Sequence, residues 1–141
     1  MGLLEDWENA PYTTVSQMPQ TGTATYRGVA MYGEGEVLSS AEMQANFAND
    51  SISGRLHNFQ AQNGTPISGE VAIRNGVITG AEYSATLAGQ LSAAGERASV
   101  SGTAYGDFSG RQAEIVDGSI SAQVETSYGT EYVSGEMILK R

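Results

Sequence analysis

The single histidine, His57, is the residue best suited by type to acid–base or nucleophilic catalysis. Such catalysis needs a carboxylate that orients the imidazole and a hydroxyl nearby, and Glu42, Ser51 and Ser53 are the candidates in the surrounding segment. A hairpin through this segment places His57 opposite Glu42 on the outer, polar face, where no pocket would exclude water. We therefore interpret His57 as a surface residue and predict no catalytic residues.

Metal and phosphate sites have little support from the residue types present. One histidine and no cysteine cannot supply a usual zinc site. Three acidic segments could in principle bind calcium, but none follows a D-x-D-x-D-G loop pattern; they are Glu5-Asp6, Glu34-Gly35-Glu36 and Asn49-Asp50. No glycine pair opens a helix after a strand, as phosphate loops require. We predict neither a metal nor a cofactor.

The tyrosines and acidic residues leave two further chemistries to weigh. The chain has 7 tyrosines, and tyrosine can ligate haem iron, although it is also a common strand residue whose hydroxyl reaches a barrel rim. Sixteen acidic residues would allow a paired-carboxylate hydrolase, but nothing in the sequence places two of them in a cleft. Haem capture stays an alternative, and an enzyme is the least favoured class.

The elements that must position these residues are β-strands. The 141 residues fit one domain. The hydrophobic fraction of 40% and the charged fraction of 16% argue against disorder. The 18 glycines occur singly among β-branched, Tyr and Ser/Thr residues, as at bulges and barrel bends. Short alternating runs recur and no segment keeps a helical period, which indicates an all-β chain.

Two hairpins are predicted from local signals. The first covers residues 41–59, with a two-residue turn at Asn49-Asp50. Its predicted inward pairs are Phe47 with Ile52, Ala45 with Gly54, and Met43 with Leu56. The second turns at Asn75-Gly76, a strong hairpin signal, and sets Ile73 against Ile78. The apolar phase then slips, which predicts a bulge near residues 80–82.

Eight strands follow from counting the alternating runs. Small and large residues alternate on the predicted inward face, as in a narrow closed barrel. Closure would also remove exposed strand edges. We predict a single antiparallel eight-stranded up-and-down β-barrel over residues 21–141, with a two-sheet sandwich as the competing arrangement. Residues 1–20, which hold two of the three prolines and the only tryptophan, are predicted to form an N-terminal arm or tail.

Charge and hydropathy limit the partners and the compartment. A formal charge of −9 repels phosphate, so we predict no nucleic-acid partner. No apolar run approaches the ~20 residues of a membrane helix, so no transmembrane segment is predicted. The N-terminus lacks the basic start and apolar stretch of a signal peptide. The chain is accordingly either cytosolic or a mature segment with an added Met.

Three segments resemble the C-terminal β-barrel of the transferrin-binding protein B family. Residues 101–120, read as SGTAYGDFSGRQAEIVDGSI, resemble the family run in which a Gly/Phe-rich strand reaches a G-P-x-A-x-E-x-x-G turn. Residues 45–54, read as ANFANDSISG, resemble its V-N-F-x-N-x-x-V-x-G element, and the ending GEMILKR resembles its closing strand. The helix formers at 112–115 lie between glycines and predict a short helical turn near residues 110–116 that plugs one barrel mouth.

The resemblance implies a non-enzymatic binding module. The family comprises Gram-negative surface lipoproteins, including lactoferrin-binding proteins, factor H binding protein and the heparin-binding antigen. It implies an outer-membrane-surface or periplasmic location, peripheral anchoring through a lipid absent from this chain, and a protein partner such as a host or environmental iron or haem carrier. Candidate partner-binding residues are Trp7, Tyr12 and Tyr128, with loops at 33–40, 60–66, 92–97 and 126–130. The alternative is a structural or scaffold barrel without a small-molecule ligand.

The interpretation of His57 as a surface residue makes a direct prediction. His57→Ala should leave both the melting temperature and any binding activity at wild-type values, because an outward side chain on a polar face contributes little to either. Thermal unfolding followed by circular dichroism measures the first. A large loss of stability would contradict the outward placement.

Overall fold

The computed structural model describes residues 11–141 and confirms the barrel. Eight antiparallel strands close in sequence order, with β1 pairing both β2 and β8. The strands are β1 Thr23–Tyr32, β2 Val37–Asn46, β3 Ser51–Ala61, β4 Ile67–Thr79, β5 Glu82–Ala93, β6 Glu96–Ser109, β7 Ile115–Thr126 and β8 Gly129–Lys140. Within the described range, the helical structure is one 3-10 turn, Val15–Gln17.

Side-chain alternation sorts the strands into an inner and an outer face. In β1, Tyr26 and Ala30 are completely buried in the barrel interior, while Val29 and Met31 between and beyond them are exposed on the outer wall. The same period of two runs through the other strands. Burial in β5, β7 and β8 follows this alternation, so the core is the lumen of the barrel itself.

Glycines allow neighbouring strands to approach unusually closely. An ideal Cβ on Gly54 would lie 2.0 Å from the carbonyl oxygen of Glu42 on β2. A Cβ on Gly28 would lie 1.9 Å from the carbonyl oxygen of Ile138 on β8. Equivalent approaches below 2.5 Å to a cross-strand backbone oxygen occur at Gly69, Gly76, Gly89, Gly102 and Gly106. These glycines therefore mark the places where the sheet coils tightly enough to close.

The register predicted for the first hairpin is wrong by two residues. Ala45 lies opposite Ile52 and Met43 opposite Gly54, which leaves residues 47–50 as a four-residue turn. The Asn46 side-chain oxygen accepts hydrogen bonds from the backbone N–H groups of Ala48 at 3.0 Å and Asn49 at 3.4 Å. This local bonding stabilises the longer turn. Because the slip is two residues, every side chain keeps its predicted face.

The sequence predicts a turn at Asn75-Gly76 and a bulge at residues 80–82. The structure instead has the bulge at Asn75-Gly76 and the turn at residues 80–81. β4 runs through Asn75, whose φ is +53°, and two β4 residues there oppose one residue of β5. This is a bulge. The chain reverses instead at Gly80, with φ +63°, between the paired residues Thr79 and Glu82. Pairing with β3 as far as Val77 extends β4 past the Asn-Gly signal.

The segment at 110–116 plugs one end of the barrel but is not helical. Gly110 and Ala113 have φ of +94° and +57°, which a right-handed helical turn does not allow, so the predicted helical turn is corrected to an irregular turn. Ala113 is nevertheless completely buried, and its carbonyl oxygen accepts a 2.5 Å hydrogen bond from the Tyr26 hydroxyl. The Arg141 guanidinium lies over the Tyr26 ring, 5.9 Å from its centroid.

Residues 11–18 cross the same end. The Thr13 N–H donates to the Phe108 carbonyl at 2.9 Å, and the Thr13 hydroxyl donates to the Gly110 carbonyl at 2.6 Å. Both Thr13 and Met18 are buried there. Phe108 stacks edge-on against three further aromatic rings, those of Tyr26, Phe47 and Tyr83. We call this the closed end of the barrel.

Residues 11–141 contain no helix that is long enough and apolar enough to cross a membrane.

The close approach at Gly54 makes Gly54→Ala destabilising. The added Cβ would collide with the Glu42 carbonyl oxygen and lie 2.8 Å from the Met43 Cα, so the strands must separate. We expect the free energy of unfolding to fall by about 1–3 kcal/mol, as for other overpacked sites. Urea unfolding measures it. The matched control is Ser53→Ala, on the exposed face one residue away, which should unfold like the wild type. Equal unfolding free energies for the two variants would contradict the close approach of β2 and β3 at Gly54.

Candidate functional site

The end opposite the closed end carries four turns. They connect β1 to β2 at residues 33–36, β3 to β4 at 62–66, β5 to β6 at 94–95, and β7 to β8 at 127–128. All four lie inside the loops predicted from the sequence. In an up-and-down barrel, alternate connections share an end, so the topology brings these four together. We call this the open end.

An apolar cavity of about 220 Å³ lies in the lumen beneath these turns. Every strand contributes one large apolar side chain to the part of the cavity wall nearest the open end. We call this ring of side chains the collar. In strand order the collar residues are Tyr32, Val37, Phe59, Ile67, Leu91, Val100, Val124 and Val133. Leu56, Val71, Leu87, Ile120 and Ala122 line it more deeply. Five collar residues are only partly buried (Val37, Ile67, Leu91, Val124 and Val133), so the cavity reaches solvent past them.

Carboxylates stand at the mouth of this cavity. Glu131 lines it directly and lies opposite Val124, two residues before the inward-facing Val133. Directly opposed residues share a face, so Glu131 faces inward on β8, two residues nearer the open end than Val133. On β6, Glu96 is half-buried and accepts a hydrogen bond from the Ser127 hydroxyl of the neighbouring turn. The site thus combines an apolar bore with anionic groups at its entrance.

Tyr32 is the most polar part of the collar. Its hydroxyl shares a 2.8 Å hydrogen bond with the buried Ser39 hydroxyl, and its ring lies 5.7 Å from that of Phe59. Burial raises the pKa of Tyr32 to about 12, and the hydrogen bond from Ser39 partly offsets that rise. The phenol therefore stays neutral under physiological conditions and its oxygen already has a partner. Tyr32 therefore forms part of the cavity wall, and its hydroxyl is already hydrogen-bonded to Ser39.

His57 is not among the residues that line the cavity. His57 is half-buried and lies opposite Ser40, and Glu42 lies opposite Arg55, so the predicted pairing of His57 with Glu42 is corrected. The cause is the two-residue slip of the hairpin. Among residues 11–141, no group of three or more His, Cys, Asp or Glu side chains is arranged to hold a metal ion.

One carboxyl pair lies elsewhere, at the opposite end of β6 and β7. The backbone N–H of Asp107 donates to the Asp117 carboxylate at 3.0 Å. Partial burial raises the pKa of Asp107, and the nearby charges of Asp117 and Glu82 raise it further. Asp107 borders shallow grooves on the barrel exterior near the closed end, away from the apolar cavity. It fixes the local strand geometry through that hydrogen bond.

The structure separates the predicted partner-binding residues. Tyr128 is 90% exposed in the β7–β8 turn, at the open end. Tyr12 is 65% exposed at the closed end, where it bridges Ser109. Twelve residues of β7 separate the two ends, about 40 Å along the strand, so Tyr12 and Tyr128 do not share a patch. Trp7 lies outside the described residues.

Sequence reasoning missed the cavity, although a signal for it was present. The inward positions in the middle of several strands are small, such as Gly102 and Ala104 in β6, whereas several nearer the open end are branched, such as Leu91, Val100 and Val124. Large branched residues at strand ends beside short turns leave apolar surface with nothing to cover it. The alternation of small and large residues does not by itself distinguish the two ends of the barrel.

Comparison with known proteins identifies the fold. No protein-family model matches the chain, and no curated protein matches its sequence. Among solved structures, intact Ap-TbpB, containing N and C lobes, matches with a TM-score of 0.61 and 18% identity. Two mutants of the vaccine antigen Transferrin Binding Protein B (TbpB) from Haemophilus parasuis Hp5 match with a TM-score of 0.59 and identities of 17% and 19%. The fold is TbpB-like.

The likeness has a defined extent. Each match covers 92% of this chain but only 27% to 28% of the TbpB chain. The chain therefore spans little more than a quarter of the length of these TbpB structures. At 17% to 19% identity the likeness establishes the TbpB-like barrel and leaves the binding activity to be argued from the site.

The buried tyrosines predict how stability depends on alkaline pH. The unfolded chain loses tyrosine protons near pH 10, whereas folded Tyr32 and Tyr26 hold theirs up to about 12. Their stabilising contribution is complete below pH 10 and disappears as pH rises toward 12. Tyr32→Phe should therefore reduce the decline in unfolding free energy over this range by roughly 1 kcal/mol per pH unit.

Urea unfolding at several pH values measures the slope. Tyr32→Phe also loses the hydrogen bond to Ser39, so the slope is compared rather than the absolute stability. Tyr132→Phe, on an exposed outer position, is the control and should keep the wild-type slope. An unchanged slope in Tyr32→Phe would contradict the burial of this phenol.

Proposed function

We propose that this chain is a non-enzymatic binding module that recognises a protein partner through the open end of its barrel. The proposal includes an exported location, at the outer membrane surface or in the periplasm, with any lipid anchor outside this sequence. It also takes residues 21–141 as the barrel domain and residues 1–20 as an arm. The TbpB-like fold supports it, because TbpB is named for binding transferrin.

The difference between the two ends is the observation that carries the proposal. At the closed end, residues 11–18, the 110–116 turn and an aromatic cluster fill the lumen. At the open end, the collar stays partly exposed and Tyr128 projects from the adjacent turn. Exposed aromatic rings beside an apolar pocket are typical of binding hot spots. The open end is therefore the surface best suited to a partner.

Charge at the open end favours a basic partner. Glu34 and Glu36 lie in the β1–β2 turn, and Glu125 lies on the outer face one residue before the end of β7, in addition to Glu96 and Glu131 at the mouth. The chain as a whole has a formal charge of −9. Such a field accelerates encounter with a positively charged surface and disfavours acidic competitors.

A capture experiment with paired variants tests this proposal. Immobilised wild-type protein, Tyr128→Ala and Tyr12→Ala are exposed to envelope extract of the native organism and to candidate host fluids, then washed with salt. We expect one stoichiometric protein on the wild type and on Tyr12→Ala, with a roughly tenfold or greater loss on Tyr128→Ala, as for hot-spot aromatics. Both tyrosines are exposed, so neither substitution should disturb folding.

Two results would contradict the proposal in different ways. Equal capture by Tyr128→Ala and the wild type would place binding away from the β7–β8 turn. No captured protein on correctly folded wild-type bait would instead favour a structural or scaffold barrel. Circular dichroism of the immobilised stock establishes that each bait is folded.

A further inference from the structure

We propose that the open-end cavity binds the hydrocarbon chain of a small cationic amphiphile, with its ammonium group held at the carboxylates of Glu131 and Glu96. This site takes a small molecule rather than a protein, and it stands whether or not the protein partner proposed above exists. Three features carry the inference: the apolar bore, its size and the charge at its mouth.

The bore matches a single hydrocarbon chain in its chemistry. Among residues 11–141, thirteen apolar side chains from all eight strands build its wall, and Glu131, at the entrance, is the charged residue that lines it. The hydroxyl of Tyr32 is already bonded to Ser39. The wall therefore offers dispersion contacts without a free polar group of its own, which suits an unbranched chain better than a sugar or a peptide backbone.

The cavity volume sets the length of that chain. A dry apolar cavity of ~150 Å³ in another protein binds benzene, a molecule of six carbons. On that scale the 220 Å³ found here holds roughly nine carbons. An octyl chain would fill the cavity without displacing its wall.

Charge selects the head group. Glu131 faces inward on β8, two residues nearer the open end than Val133, so its carboxylate lies where the head group of an inserted chain would emerge. Glu96, at the start of β6, adds a second carboxylate near the same entrance. The nearest cation in the sequence, Arg97, pairs with Ser92 at an outward position. A carboxylate head group would be repelled at this mouth and an ammonium group attracted.

The first test is titration of the full chain with n-alkylammonium ions by isothermal calorimetry. Butyl-, hexyl- and octylammonium are compared below their micellar concentrations. Affinity should rise about fourfold for each added methylene until the cavity is full. Octanoate, which has the same chain length and the opposite charge, should bind more weakly than octylammonium. No binding of octylammonium, or affinity independent of chain length, would overturn the proposal.

Two substitutions in the cavity wall test whether the hydrocarbon chain of the amphiphile lies inside the barrel. Ala122→Phe places a ring in the deep part of the cavity, and Val133→Phe places one in the collar. Each variant that circular dichroism shows to be folded should lose octylammonium binding, and two sites at different depths guard against one failing to fold. Retention of wild-type affinity by either folded variant would show that the amphiphile binds outside the cavity and would overturn the proposal.

A matched pair of charge variants tests the head-group contact. Glu131→Gln should weaken octylammonium binding about two- to fivefold, and the loss should shrink at high salt. Glu125→Gln, at an outward position of the same end, is the control and should bind like the wild type. Equal losses in both variants would overturn the assignment of Glu131. Tyr128→Ala, which reports on the protein partner, should leave octylammonium binding unchanged, so the two proposals fail independently.

Discussion

Close contact between neighbouring strands, possible only where one of them carries glycine, is the constraint on which this barrel depends. At Gly28, Gly54 and Gly102 an added Cβ would collide with the backbone of the adjacent strand. The glycines occur on most of the strands and so permit coiling around the whole circumference. Without this coiling, eight strands of 10 to 14 residues would form a flatter sheet with exposed edges. Closure in turn creates the lumen that contains the core.

The lumen is filled unevenly, and this unevenness gives the molecule a binding end. Phe108 lies at the centre of the aromatic cluster, and the buried turn around Ala113 covers it. The mouth of that end is thus closed by the chain's own residues. At the other end the turns are short, and two of them, at 94–95 and 127–128, contain only two residues. Turns of that length cannot fold over the mouth, so the collar stays accessible.

Particular residues show where sequence reasoning succeeded and where it failed. The inward placement of Met43, Phe47, Ile52 and Leu56 was predicted correctly, because alternation is a property of the extended backbone itself. The positions of the turns were predicted less well. Asn75-Gly76 has a suitable local preference for a hairpin, yet β3 continues alongside and pairs Ile52 with Gly76. Pairing with β3 therefore outweighs the local turn preference of Asn75-Gly76. The left-handed backbone conformation of Asn75 occurs in a bulge instead of a hairpin turn.

The strand-forming segments and the face of most side chains follow from the amino-acid sequence, because both depend on neighbours a few residues apart. The acidic character follows from the composition. The burial of Ala113 and the formation of the cavity depend instead on the tertiary structure. Each of these depends on which strands meet across the lumen, as when Tyr26 donates a hydrogen bond to a carbonyl 87 positions along the chain. The eight collar residues are likewise separated in sequence and become one site only when the barrel closes.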